Sequence, residues 1–215
     1  MAMDHERHCR QEIVRFGRLL HQKGYVAASD GNLTMRLDPN RVLATPTGIS
    51  KGMMEPEDMV VVDLQACRVS GQRLVSTEIG MHLLIYRMRP DVNGVVHAHP
   101  VTATGYAAAG LELNQALVSE LVMALGSVPL ADYATPGSSE LAASLEPLIP
   151  HHDAILMANH GVVSYGESLL QAYMKMETVE HYAQIALVTH LLGRQQPLSA
   201  EQVAKLMATR VRDLA

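Results

Sequence analysis

Along residues 5–23 the apolar side chains Ile13, Val14, Phe16, Leu19 and Leu20 recur among charged ones, and Gly24 follows. That spacing predicts an amphipathic helix closed by a glycine. The polar cluster Ser29-Asp30-Gly31-Asn32 reads as a turn, and Leu33-Thr34-Met35-Arg36-Leu37 alternates as a strand does. Asp38-Pro39-Asn40 then turns the chain into Val42-Leu43-Ala44-Thr45, the expected hairpin partner. A β-branched run covers 59–64, and Gly71 marks another turn. Residues 78–89 place Ile79, His82, Leu83 and Tyr86 on one helical stripe that Pro90 ends. A strand is expected over 94–99, stopped by Pro100, and a small-residue helix follows to Ala109 and Gly110. Further helices are expected over 118–125, 138–148 (capped by Ser138), 168–192 and 200–214, with strands over 128–130 and 153–159. Short early connections favour antiparallel pairing. The pattern is one α/β or α+β domain over 1–215, a sheet with helices on both sides, with 1–9 and 208–215 expected to be flexible ends.

Composition narrows the function classes. Seventeen Lys+Arg against twenty-two Asp+Glu give a net charge of −5, without a basic block, so nucleic acid is not an expected partner. No apolar stretch reaches the ~18–20 residues that span a bilayer. The polar start, Met1 to Arg7, lacks the apolar segment of a signal peptide, and a cytoplasmic protein is expected. Cys9 and Cys67 make no disulfide framework. Thirteen Met against one Phe, seven Tyr and no Trp indicate that Met fills irregular core gaps in place of aromatics.

The eleven histidines are the informative residues. In His97-Ala98-His99 the strand alternation sends both imidazoles to one face, at a strand end opening onto a loop. Two such imidazoles are half of a metal site, and a catalytic zinc keeps three protein ligands and an open position. A third ligand is expected at the end of a neighbouring strand, where Asn159-His160-Gly161 follows the run 154–158. The plain alternative is that His160 caps a strand before a glycine turn. His5, His8, His21, His151, His152 and His190 read as solvated, and His82 and His181 as packed side chains or supports. Ser76-Thr77-Glu78 opens a helix, so it can gather a carboxylate base and outward N–H groups for an anion, although it is also an ordinary helix start. The turns Gly31-Asn32 and Thr47-Gly48-Ile49-Ser50-Lys51-Gly52 can likewise nest an anion, but neither is a nucleotide-hydrolysing phosphate loop.

Taken in order, Asp30-Gly31-Asn32-Leu33, 45–52, Ser76-Thr77-Glu78, His97-Ala98-His99, Tyr133-Ala134-Thr135-Pro136-Gly137 and Asn159-His160-Gly161 resemble the class II aldolase family of the L-fuculose-phosphate aldolase type, from about residue 10 to about residue 207. The resemblance implies a three-layer α/β/α sandwich around a mainly antiparallel sheet. It implies zinc, or another divalent first-row ion, on His97, His99 and His160, and Glu78 as acid/base. Asn32, Thr47, Gly48, Ser76 and Thr77 become the implied phosphate-binding set. The implied reaction is retro-aldol cleavage of a ketose phosphate to dihydroxyacetone phosphate and an aldehyde, through a metal-stabilised enediolate. A homotetramer with active sites between subunits is implied too.

The chain departs from the family pattern at 116–121, where relatives place a tyrosine that protonates the aldehyde oxygen; Ser119 and Glu120 are the polar groups present. Nothing aromatic follows Tyr182, which counts against a sugar-phosphate epimerase. A dehydratase or a decarboxylase of a sugar-acid phosphate keeps the same metal set and stands as the alternative. The rival outside enzymes is a non-catalytic scaffold like the adducin head domains, which lack an intact metal site.

Overall fold

The computed structural model describes residues 2–212. Helix α1 (Ala2–Gln22) starts ahead of the expected residue 5, and one stripe of it buries Cys9, Ile13, Phe16 and Leu20. Strands β1 (Asn32–Asp38) and β2 (Arg41–Ala44) form the expected hairpin. Strands β3 (Val60–Asp63) and β4 (Arg68–Ser70) extend it antiparallel to the sheet edge. On its other side β1 pairs antiparallel with β5 (Gly94–Ala98). Beyond β5 come β8 (Gly161–Gly166), β7 (Ala154–Met157) and β6 (Leu130–Ala131), giving the order β4-β3-β2-β1-β5-β8-β7-β6. Only β6 and β7 run parallel.

Two strands differ from the sequence pattern. The strand expected over 128–130 is β6, displaced to Leu130–Ala131, while Val128 makes only an isolated bridge to Leu113. Pro129 explains the shift, because it has no N–H for a ladder; its carbonyl instead accepts from Leu156 N at 2.9 Å. Strand β8 was not anticipated, yet all six of its residues are buried and it fills the place between β5 and β7. Its run Val162-Val163-Ser164-Tyr165 is short and enclosed by two glycines, which read as turns.

Strand alternation builds two cores. Leu33, Val96 and Val162 face one layer made by α1, α3 (Val101–Ala108) and α6 (Leu169–Leu191). Val42, Val95, Val163 and Tyr165 face the opposite layer, made by α2 (Ile79–Met88) and α5 (Ser139–Leu145). The result is the expected three-layer α/β/α arrangement around a mainly antiparallel sheet. Ser138 caps α5 by accepting from Leu141 N, as its position indicated. Helix α4 (Ser119–Ala124) packs with α7 (Ala200–Arg212); the last residues of the helix expected over 200–214 lie outside the described residues. Among the described residues no helix is long and apolar enough to cross a membrane.

The start of α3, just after His99-Pro100, is held from another element. Glu180 of α6, 2% exposed, accepts from Thr102 N at 3.1 Å and Ala103 N at 2.8 Å. A buried carboxylate thus supplies the helix start with the cap that its own sequence lacks.

Candidate active site

Four segments far apart in sequence meet at one end of the sheet: the start of β1, the end of β5, the turn before β8 and the start of α2. The register sets Asn32 directly opposite His97. Both lie on the face turned toward α2, because each alternates with core residues of the other face.

His97 is fully buried, and its Nδ1–H is donated to the carbonyl of Val162 at 2.9 Å. That bond fixes the tautomer and leaves the Nε2 lone pair directed at the cluster. His97 Nε2 lies 3.0 Å from His99 Nε2 and 3.3 Å from Glu78 Oε2. His160 Nε2 lies 3.1 Å from Glu78 Oε1, and its buried Nδ1 has no partner. His99 Nδ1 faces Asp30 Oδ2 at 3.7 Å. One ligand atom from each of His97, His99 and His160 falls within 4.8 Å of the others, so the three can hold a metal ion.

His160 reaches the cluster by a different route from the one its sequence position indicates. The run before it, β7, does not border β5; β8, the strand after it, does. Gly161 makes the approach possible, since a Cβ there would come within 2.5 Å of His99 Cδ2 and 2.7 Å of the Ala98 carbonyl oxygen.

A polar ladder seats Glu78. Residues 32, 34 and 36 of β1 share one face by the strand period, and residues 78, 82 and 86 share one helical stripe. Asn32 Nδ2 donates to Glu78 Oε2 at 2.8 Å. Thr34 Oγ1 lies 2.8 Å from His82 Nδ1 and 2.9 Å from the Tyr86 hydroxyl. Arg36 donates to the Tyr86 carbonyl at 2.8 Å and lies over its ring. Strand rise and helix rise match closely enough, at about 6.8 Å per two strand residues and 6 Å per four helix residues, for three successive rungs.

Electrostatics follow from this packing. Burial pushes the Glu78 carboxyl up, but the His97 and His160 imidazoles beside it win and hold it below the ordinary carboxylate range. Burial, followed by the neighbouring His97 and His160, lowers His99 to about 4. Burial lowers His82 to about 3, so the imidazole under Glu78 is neutral at physiological pH.

The expected anion-binding segments lie edge to edge at the start of α2. Pro46 bridges Val75, Thr47 N donates to Leu74 O at 3.0 Å, and Ser76 N to Thr45 O at 3.3 Å. Thr47, Gly48 and Thr77 are exposed and Ser76 half-buried, with the Ser76 hydroxyl accepting from Glu78 N at 3.3 Å. A Cβ on Gly137 would lie 3.2 Å from the Thr77 carbonyl oxygen, so the 133–137 loop closes onto this edge.

Two further residues belong to this region although their spacing signalled no role. Asp30 faces His99, and Lys51 is 1% exposed, with burial lowering its ammonium to about 8. Of the remaining histidines, His82 is buried as expected, whereas His181 is exposed on the outer side of α6 and not packed. A long helix shows its outward positions to solvent, and the apolar neighbours of His181 in sequence point the other way.

A three-layer α/β/α sandwich that gathers three histidines and a buried carboxylate at one end of its sheet frames a candidate metal site. The family model for the Class II Aldolase and Adducin N-terminal domain matches residues 11–187, and the chain belongs to this family. The chain is 34% identical over 181 residues to L-fuculose phosphate aldolase of Methanococcus maripaludis, covering 84% of this chain and 97% of that one. It is also 34% identical over 207 residues to 3-oxo-tetronate 4-phosphate decarboxylase of Escherichia coli K12, covering 94% and 96%. A solved L-fuculose 1-phosphate aldolase superposes with a TM-score of 0.87 at 30% identity, covering 94% of this chain and 95% of that chain. With relatives named as aldolases and decarboxylases, the protein is an enzyme.

Proposed function

We propose that this protein is a metal-dependent carbon–carbon lyase that cleaves a ketose phosphate by a retro-aldol reaction, releasing dihydroxyacetone phosphate and an aldehyde. The observation that carries this reading is the convergence of His97, His99 and His160 around one point with Glu78 bridging two of them. The donor set fits a divalent ion: three imidazoles, one pinned by the Val162 carbonyl with its lone pair inward, and one with a buried nitrogen lacking a partner. Three nitrogen ligands with an open position suit zinc. When bound there, such an ion supplies Lewis-acid polarisation of a substrate carbonyl and offsets the negative charge that develops beside it.

The chain's own residues do the rest. Glu78, placed beside His97 and His160 and oriented by Asn32, moves the proton at the reacting hydroxyl or carbon. Asn32 orients that carboxylate through one N–H and keeps its second for an anion. Thr47, Gly48, Ser76 and Thr77 hold the phosphate at the start of α2, which fixes the reacting end relative to Glu78. The subunits form a homotetramer in the cytoplasm with active sites between them. Exposed apolar groups Val101, Leu111 and Leu187, lining a groove of about 620 Å³ between α3 and α6, support an assembled state.

A second reading is favoured by the decarboxylase relatives, which match over 94–95% of this chain. Loss of CO2 from a 3-oxo acid phosphate leaves the same type of enolate and needs no proton donor for an aldehyde oxygen. That suits a chain without tyrosine at 116–121. The test is to supply zinc-loaded enzyme with ketose 1-phosphates and, separately, with a 3-oxo-tetronate 4-phosphate. Dihydroxyacetone phosphate appearing with an aldehyde supports retro-aldol cleavage. Its appearance with CO2, and no aldehyde from any ketose phosphate, transfers the reading to decarboxylation.

A further inference from the structure

We infer that Lys51 is a positioning residue that sets the distance between the phosphate end and the histidine end of the site, and so favours phosphorylated ligands over unphosphorylated ones. The inference rests on the phosphate role proposed above for Thr47 and Gly48.

Lys51 is the only lysine in the buried set of the described residues, at 1% exposure. Its Nζ donates to the Ser29 carbonyl at 2.8 Å and to the Ile49 carbonyl at 2.9 Å. The two carbonyls belong to different turns. Ser29 opens the turn that carries Asp30, which faces His99, and Asn32, which holds Glu78. Ile49 follows Thr47 and Gly48. One ammonium therefore ties the histidine side of the site to its anion side, and no other hydrogen bond between these two turns is seen among the described residues.

The tie is rigid from behind as well. Helix α1 packs on the 51–54 segment at Gly17, where a Cβ would come within 3.0 Å of the Lys51 carbonyl oxygen and 2.6 Å of Met54 Cε. A lysine buried at this depth needs its donors satisfied, and it is satisfied only while both turns stay in place. Burial lowers its ammonium to about 8, and the charges of Asp30 and Glu78 partly offset that.

The experiment compares binding of dihydroxyacetone phosphate and dihydroxyacetone to zinc-loaded wild type, Lys51→Met and Lys51→Gln by calorimetry. Dihydroxyacetone phosphate is the product expected from either reaction proposed above, so the comparison does not depend on which bond is cleaved. In the wild type the phosphorylated ligand binds more tightly. Lys51→Met reduces that preference by roughly tenfold, because the anion-side turn is no longer tied to the histidine side. Zinc content and affinity for dihydroxyacetone stay as in the wild type, a split that general loosening of the fold does not produce. Lys51→Gln, which keeps amide N–H donors but not the charge, falls between the two and serves if the methionine variant does not fold. An unchanged preference in both variants overturns the inference, as does loss of zinc together with both ligands. A wild type without any preference for the phosphorylated ligand overturns the phosphate reading itself, and the role of Lys51 with it.

Discussion

The amide of Asn32 donates to the carboxylate of Glu78 at 2.8 Å, from a strand position directly opposite His97. This bond stabilises the ionised carboxylate and fixes its rotation between His97 and His160. Asn32→Ala removes it, and loss of a hydrogen bond to a charged group is worth about 1.5–3 kcal/mol. We expect kcat to fall roughly 10- to 100-fold, with the acid limb of the pH–rate profile moved to higher pH. Metal content, measured in parallel, stays unchanged.

Glu78→Gln keeps the shape of the side chain and removes its base. Proton transfer by a positioned side chain contributes roughly 10²–10⁴-fold. A loss of kcat in that range with zinc retained is the expected result. Normal turnover by this variant would show that another group moves the proton.

Elemental analysis of the purified wild type is expected to give one divalent ion per chain. His97→Ala and His160→Ala each lose it, because a three-nitrogen site reduced to two holds zinc poorly. Retention of the ion in both variants would sink the three-histidine assignment, and with it the lyase reading.

Gly161→Ala tests the close approach that brings His160 in. The added methyl meets the His99 ring and the Ala98 carbonyl oxygen within 2.7 Å, and overpacking of this kind typically costs about 1–3 kcal/mol. A lowered Tm is expected together with weaker zinc binding in a chelator competition. A variant that binds zinc as the wild type does would mean that the turn relaxes without moving the ligands.

Acid stability follows from His82. Its folded pKa of about 3 lies below the unfolded value near 6.5, so the unfolded chain binds more protons between those limits. Stability is therefore present in full above about pH 6.5 and is lost as pH falls toward 3, with a slope approaching 1.4 kcal/mol per pH unit from this residue. His99, lowered to about 4, adds to the loss in the metal-free protein. Urea unfolding of the zinc-free protein at pH 7, 6, 5 and 4 measures the slope, and His82→Phe is expected to flatten it. An equal slope in the two proteins would remove His82 as the cause.

Local pattern determined most of the elements. Helices α1, α2, α5 and α6 and the β1–β2 hairpin follow from apolar period, capping residues and turn residues, all of which act within a few positions. His97 and His99 were legible as a pair for the same reason: alternation in one strand decides which way both point. The place of His160 was not, because it depends on β8 inserting between β5 and β7, a long-range pairing that no local period encodes. Nor was the burial of Lys51, whose neighbours in sequence are polar turn residues and whose cover comes from α1. The rungs from Asn32 to Glu78 and from Thr34 to His82 and Tyr86 combine a strand period with a helix period across more than forty residues of chain. Sequence supplied the chemical groups and the faces that carry them. Only tertiary packing, by burying those faces against one another, decided which groups meet, which are desolvated, and therefore which proton and charge each one holds.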